Sequence, residues 1–470
     1  MENGTSGNGA TNGRGICVFS GGTAANFLVD VFNKIVERRE CNLNYIIPIS
    51  DNGGSSSELI RVFGGPSVGD IRSRLVRLIP AHEDNEEMTA LKTLFEHRLC
   101  KDPNKARVEW LDIVEARHLL WTFISSSKRE LIRSVLNSLN LEIVKRARPT
   151  SVFNFAEASV GNLFLTGARL FTGSFEAGIY LLSMICSIPP TVAVLPAINS
   201  NFTHHISAGL VDGTLIAGQV AISHPSAPTS LPDNSLPADA QQHAAPGKAH
   251  PRRAELLTEA HDRIEDANLP GSLPVLRRQH ITFSKDDEED LPARIDRIWY
   301  INPYGHEIWP VANPKILEAL AKADTVVYSI GSLYTSIIPS LILRGVGAAI
   351  ASDEPGSRRK KVLILNSKID RETGPKSQAM TAVDFVRALT RAARESQSDF
   401  TEGAGDSEAG RYVTHLIYLD GEGTPVVDSE ALGRMGIRCV RVEGRWDEKG
   451  KIVRYEEEVL TKALDGIIQE

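Results

Sequence analysis

Short apolar runs alternate with stretches of helical periodicity along most of this chain. Ile16-Cys17-Val18-Phe19 fits a buried strand, and Gly21-Gly22-Thr23 follow at once. Phe27, Leu28, Val31, Phe32 and Ile35 then recur at helical spacing. Tyr45 to Ile49 reads as a second buried strand, ending in Ser50-Asp51-Asn52-Gly53-Gly54-Ser55-Ser56-Ser57. Strand, helix, strand is a βαβ unit, which predicts a parallel sheet. Asp70 to about Arg148 is mostly helical in pattern, and a further helix is expected over roughly Ala158 to Ile185. His205 to Val211 and Thr214 to Ile222 flank Asp212-Gly213, a strong hairpin signal.

The later half repeats the alternation. A helix from Pro314 to Ala323 leads into the strand Thr325 to Ile330. The polar loop Gly331-Ser332-Leu333-Tyr334-Thr335-Ser336 follows, then a helix over Ile337 to Leu343. Lys361 to Leu365 is a buried strand ending at Asn366, and Ala379 to Ala393 a helix. His415 to Leu419 and Arg438 to Val442 close the series as strands. The expected class is α/β: a Rossmann-like three-layer fold with a mostly parallel sheet, plus a helical segment and a β-hairpin. Residues 15–222 and 292–470 form its two parts. Residues 1–14, rich in Gly, Asn and Thr, read as a disordered lead-in. Residues 223–291, rich in Pro, Ala, Ser and acidic residues, read as a disordered or weakly ordered insertion with a short helix near Ala254 to Ile264.

Composition narrows the function classes. A net charge of -7 argues against a general nucleic-acid binder, which would carry a basic stripe. Five scattered cysteines without C-x-x-C spacing suit reduced thiols in a cytoplasmic protein and disfavour a cysteine-based zinc site. Gly178 to Ile198 is apolar, but Ser183, Ser187 and Pro189-Pro190 interrupt it. A buried helix, a turn and a strand from Thr191 to Leu195 explain it better than a membrane span. A homo-oligomer is compatible with all of this.

Three strand ends thus deliver small, hydroxyl-bearing, glycine-rich loops into helices. In open parallel sheets ligands bind beyond the carboxyl ends of the strands. Glycine permits close backbone approach, and a helix N-terminus presents free N–H groups to an anion. The candidate ligand-binding residues are Gly21, Gly22, Thr23, Asn52, Gly53, Gly54, Ser55, Asp70, Arg72, Asn162, Gly331, Ser332, Thr335 and Ser336. A phosphate-bearing ligand fits this set, although no loop has the G-x-G-x-x-G or Walker spacing. Asp51 either stabilises the Asn52-Gly53-Gly54 turn or faces the ligand, holding Mg²⁺ or accepting a proton from a hydroxyl. Asp70 followed by Ile71-Arg72 reads first as a helix N-cap. Arg72 and Arg74 either answer a phosphate or lie solvated on a helix. Asn162, mid-helix among apolar residues, needs a partner in the core or in the ligand. His204-His205 point to opposite faces of a strand and disfavour a metal there.

Taken together, SGGTAANFL at 20–28, SDNGGSSSELIR at 50–61, GDIR at 69–72, SVGNL at 159–163, AVLPA at 193–197, DG at 212–213 and IGSLYTSIIPSLI at 330–342 resemble the CofD-like family, the UPF0052 group. The resemblance spans nearly the whole chain outside the lead-in and the insertion. One branch of that family contains 2-phospho-L-lactate transferases, which join a phospholactyl group from a guanosine diphosphate carrier to a deazaflavin. The other contains gluconeogenesis factors, which bind uridine-diphosphate sugars, and this chain looks closer to them. The resemblance therefore implies a nucleotide or nucleotide-sugar ligand, held either by a regulator without turnover or by a transferase using Asp51. The chain departs from the family at Asp51-Asn52, where two aspartates are frequent. It departs again at Ser329-Ile330-Gly331, in place of Gly-Pro-Gly, and at Ala24, in place of a glycine.

Overall fold

The computed structural model describes residues 15–22, 24–50, 55–80, 85–148, 152–223, 273, 276, 290–352, 359–400, 405–446 and 453–470. The first strand, β1 (Gly15–Phe19), is buried at every position. A 3-10 turn, Ala24–Leu28, leads from it into α1 (Val29–Arg39). That helix buries Val29, Val31, Phe32, Ile35 and Val36 on one face, the stripe its periodicity demands. It ends at Glu40, in the left-handed conformation, and β2 (Asn42–Ile47) returns parallel to β1.

Helices α2 (Ser55–Phe63), α3 (Gly69–Arg77), α4 (Glu86–Glu96), α5 (Pro103–Val114), α6 (Ser126–Arg146), α7 (Val160–Thr172) and α8 (Phe175–Ile185) follow. Local chemistry sets their ends. Asp102 accepts the amides of Asn104 and Lys105, and Pro103 occupies the first turn, so α5 starts there. The single helix expected over Ala158 to Ile185 is in fact two. Gly173 adopts φ 73°, where a side chain is disfavoured, and Ser174 caps α8 by accepting the Ala177 amide. Beyond a turn, β3 (Val192–Pro196) pairs parallel with β2. Among the described residues no helix is long and apolar enough to cross a membrane.

A second sheet comes next. The hairpin of β4 (His205–Leu210) and β5 (Leu215–Ala217) turns at Asp212-Gly213 as expected. The strand expected to run on to Ile222 stops at Ala217, because Gly218 turns the backbone at φ 91°. Residues 219–223 form instead a short helix, α9 (Gln219–Ser223). After the 224–289 stretch, β6 (Ile295–Ile301) and β7 (Glu307–Ile308) complete an antiparallel sheet of order β5-β4-β6-β7. The lead-in, the helix expected near Ala254 to Ile264 and most of the expected insertion lie outside the described residues.

The main sheet then resumes with β8 (Ala323–Tyr328), β9 (Lys360–Ile364), β10 (His415–Tyr418) and β11 (Arg438–Arg441). The chain closes on the hairpin β12 (Gly444–Trp446) and β13 (Val453–Tyr455) and a helix, Glu457–Gln469. Seven parallel strands make up the main sheet, in the order β11-β10-β9-β8-β1-β2-β3. From β1 the winding runs outward through β2 and β3. From β8 it runs the other way, through β9 to β11. The direction of winding therefore reverses between β1 and β8.

Candidate functional site at the sheet switch point

A reversal of winding leaves a crevice beyond the carboxyl ends of the two strands that flank it. Here those strands carry the first glycine loop and the Gly331–Ser336 loop. The sheet pairing continues one residue past each strand. Ser20 N–H donates to the Ile46 carbonyl at 3.1 Å, and Ser329 N–H donates to the Phe19 carbonyl at 3.0 Å. Both serines are buried, and the Ser329 hydroxyl has no partner.

The two loops touch. A Cβ placed on Gly21 would lie 2.8 Å from both Cβ and Oγ of Ser336, and 3.2 Å from Oδ2 of Asp70. Glycine is therefore required at Gly21 by contact, not by backbone angle. At Gly22 the angle matters, since φ is +43°. Its amide donates to the Asp70 carboxylate. Asp70 is thus not the N-cap expected from sequence. It is the second residue of α3, whose cap position is Val68, and its side chain turns toward the glycine loop. Burial pushes the Asp70 carboxyl above the ordinary aspartate range, while the Gly22 amide, Arg74 and Arg72 pull it back. Such a carboxyl can carry a proton beside an anionic ligand or take one from a hydroxyl.

Arg72 and Arg74, both on α3, have separate tasks. Arg74 is fully buried beneath the loop. It donates to the Ala25 carbonyl and to Ser20 Oγ, each at 3.3 Å, and its guanidinium lies 4.4 Å from the centre of the Tyr45 ring. It supports the loop from below and is not placed to answer a phosphate. Arg72 donates to Asn162 Oδ1 at 3.2 Å. Its aliphatic stem covers Gly161, where a Cβ would approach Arg72 Cγ to 2.7 Å and the Phe95 carbonyl to 2.6 Å. Burial lowers Arg72 to about 10, which leaves it cationic at neutral pH. Asn162, expected in mid-helix, lies in the first turn of α7. Its partner there is Arg72.

In the third loop the backbone at Gly331 has φ +141°. Asn366, just past β9, clamps it from both sides. Its Oδ1 accepts the Gly331 amide at 3.2 Å and its Nδ2 donates to the Gly331 carbonyl at 2.8 Å. Helix begins earlier than the expected Ile337, with a π turn over Leu333–Ile337 that continues through Ile338–Leu341. Ser332 precedes it and makes no side-chain cap bond. The expectation of free N–H groups here is overturned in part. Glu372 Oε2 accepts the amides of Tyr334 and Thr335 at 3.1 and 3.0 Å, and Oε1 accepts the Thr335 hydroxyl at 2.5 Å. Thr335 is buried and its hydroxyl is committed to that carboxylate. Ser336 remains, against Gly21.

Gly21, Gly22, Asp70, Gly331 and Ser336 are thus gathered at one point, with Arg72 and Asn162 paired on the adjoining helices. Thr23, Asp51, Asn52, Gly53 and Gly54 lie outside the described residues, as does the side chain of Ser55 at the start of α2. Sequence reading passed over Asn366 as a clamp and Glu372 altogether. A polar residue at the end of an apolar run marks Asn366. Nothing in the polar stretch around Glu372 marks it. One further cluster occurs among the described residues: Glu109 Oε1 lies 2.6 Å from His97 Nε2 and 3.9 Å from His118 Nε2. Since His118 Nδ1 accepts the Leu120 amide, its neutral ring carries the proton on Nε2, the atom a metal would need.

Comparison with known proteins agrees with this architecture. The family profile described as 2-phospho-L-lactate transferase CofD matches residues 16–442. A Saccharomyces cerevisiae protein, YNL011C, is 40% identical over 459 residues, covering 96% of this chain and 99% of the relative. The gluconeogenesis factor of Halalkalibacterium halodurans is 23% identical over 376 residues, 80% of this chain and 73% of the relative. A crystal structure of a UPF0052 family protein from Bacillus halodurans superposes with a TM-score of 0.55 at 19% identity, covering 97% of this chain and 99% of the other.

Proposed function

The chain belongs to the CofD family, and from that premise we propose that it binds a nucleotide diphosphate or nucleotide sugar across the β1 and β8 loops, as a metabolic regulator of the gluconeogenesis-factor kind. The observation that carries this reading is the meeting of Gly21, Gly331 and Ser336 at the switch point. Two adjacent strands there end in loops whose glycines bring bare backbone to the crevice, with Asp70 beside them. Bare backbone lets a phosphate come close enough to take main-chain N–H bonds. Arg72, cationic on the neighbouring helix, adds favourable charge. Relatives named gluconeogenesis factor support the regulator over the enzyme.

Isothermal titration with UDP-sugars and with GDP tests the reading. Binding of a UDP-sugar, weakened by Gly21→Ala, is expected. No heat with either nucleotide class at millimolar concentration removes it.

A second reading is favoured by the description of the matching family itself. It is a transferase moving a phosphate-linked group from a nucleotide diphosphate donor to an acceptor hydroxyl. Asp51 would engage Mg²⁺ or that hydroxyl. The Asp70 carboxyl, held by the Gly22 amide and raised by burial, suits a proton better than a divalent cation. Incubation with a guanosine-diphospho-phospholactate donor and a deazaflavin acceptor, with Mg²⁺ in excess, decides. Absence of product leaves the regulator.

A further inference from the structure

We infer that Glu372 is a positioning residue of this site, coupling the root of the 224–289 stretch to the Gly331–Ser336 loop. The inference rests on reading that loop as a wall of the ligand site.

Glu372 is buried and holds two separate elements at once. On one side its carboxylate accepts the Tyr334 and Thr335 amides and the Thr335 hydroxyl. On the other, Oε1 accepts the hydroxyl of Ser223 at 2.9 Å. Ser223 ends α9, and the same hydroxyl lies 3.2 Å from Thr335 Oγ1. Neighbouring residues reinforce the junction. Arg371 Nε donates to the Ile222 carbonyl at 3.2 Å. The Lys376 amide donates to Asp290 Oδ2 at 3.1 Å. Residues 371–376 therefore grip the chain both where it leaves α9 and where it returns toward β6.

One carboxylate cannot keep all four donors if either side moves away. Displacement of α9 takes the Ser223 hydroxyl from Oε1 and leaves the Thr335 hydroxyl and the Tyr334 and Thr335 amides as the donors that still hold the carboxylate. With α9 in place Glu372 is tied on both sides, and Ser336 is that loop's contact with the Gly21 turn. The charged and titratable groups around the junction are few. Lys368, Asp370 and Arg371 lie on the same segment. Tyr334 comes from the helix above, Arg294 and Asp290 from the approach to β6, and α9 brings none. Burial and then the neighbouring Asp370 disfavour ionised Glu372, so the junction is also sensitive to pH.

Hydrogen exchange on the full-length protein tests the coupling without any ligand. Glu372→Gln keeps the shape but loses one acceptor, and Ser223→Ala removes the second tie while sparing the loop. Each is expected to speed exchange about tenfold at residues 333–336 and in the 219–223 segment together, the scale of losing a bond to a charged group. Titration with UDP across pH 6 to 8.5 is the second readout. Wild-type affinity should vary with pH, and the Glu372→Gln profile should vary less, keeping only the part due to Asp70 and the phosphate. Exchange that changes on one side of the junction alone, or not at all, overturns the coupling. A Glu372→Gln profile that still follows the wild type overturns the positioning role. If wild-type protein binds neither UDP nor GDP, the ligand reading fails, and the exchange result still decides the coupling.

Discussion

Replacing Gly21 by alanine is the sharpest perturbation the geometry offers. Gly21 is not in the left-handed region, so alanine meets no backbone strain there. The whole effect must come from one added methyl, which would stand 2.8 Å from Ser336 Cβ and Oγ and 3.2 Å from Asp70 Oδ2. Real Cβ atoms essentially never approach so closely, and the Ser336 Cβ is fixed to a helix. Overpacking of this kind costs about 1–3 kcal/mol. At about 2.1 cal/mol/K per residue, each kcal/mol shifts the Tm of a 470-residue chain by about 1 °C, so a fall of about 1–3 °C is expected in a thermal melt. Separating the β1 and β8 loops should also weaken nucleotide binding in the titration above. A second-site test isolates the cause. Ser336→Gly removes both clashing atoms and should restore Gly21→Ala toward the melting temperature of Ser336→Gly alone. Ser336→Ala keeps the Cβ and should rescue little. Gly21→Ala with an unchanged melt and unchanged binding, or equal rescue by both partners, refutes the reasoning.

Three other outcomes follow from the structure. Gly347→Ala places a methyl 1.8 Å from the Ala393 carbonyl, on backbone that cannot yield cheaply, so soluble yield should collapse in expression trials. Glu372 is raised from 4.5 to about 7 by burial and by Asp370, so its ionisation is disfavoured in the folded state. Its contribution is complete below about pH 4.5 and is lost as pH rises through about 7. Melting temperature plotted against pH should fall over that window in wild type and much less in Glu372→Gln. Zinc added to the protein should leave its melt unaltered, because the His118 tautomer turns a proton toward Glu109. A clear rise abolished by His97→Ala would reverse that assignment.

The parallel sheet was legible because burial on both faces writes continuous apolar runs, such as Ile16 to Phe19 and Thr325 to Tyr328. Loop chemistry was legible as residue types at strand ends. Side-chain direction was not. Asp70 looks like a cap because Asp before an apolar turn usually is one, and the Gly22 amide that claims it belongs to another element. Thr335 looks like a ligand hydroxyl until Glu372 folds over it from a distant polar stretch. The break at Gly173 was missed because apolar residues continue on both sides of it, while a single positive φ decides the outcome. Local pattern reports what a residue can do, and tertiary contacts choose among the options.

The pairing of Phe19 with Tyr328 has a consequence for synthesis. Among the described strands β1 comes first along the chain and is central in the finished sheet, yet one of its two neighbours, β8, lies far later in the sequence. Until β8 emerges, the edge of β1 is bare and its turn faces no opposing wall. Folding is therefore governed by contacts of long sequence separation, which form slowly. The binding crevice should be among the last features to be completed, and prematurely terminated chains ending before β8 should be both aggregation-prone and unable to hold ligand.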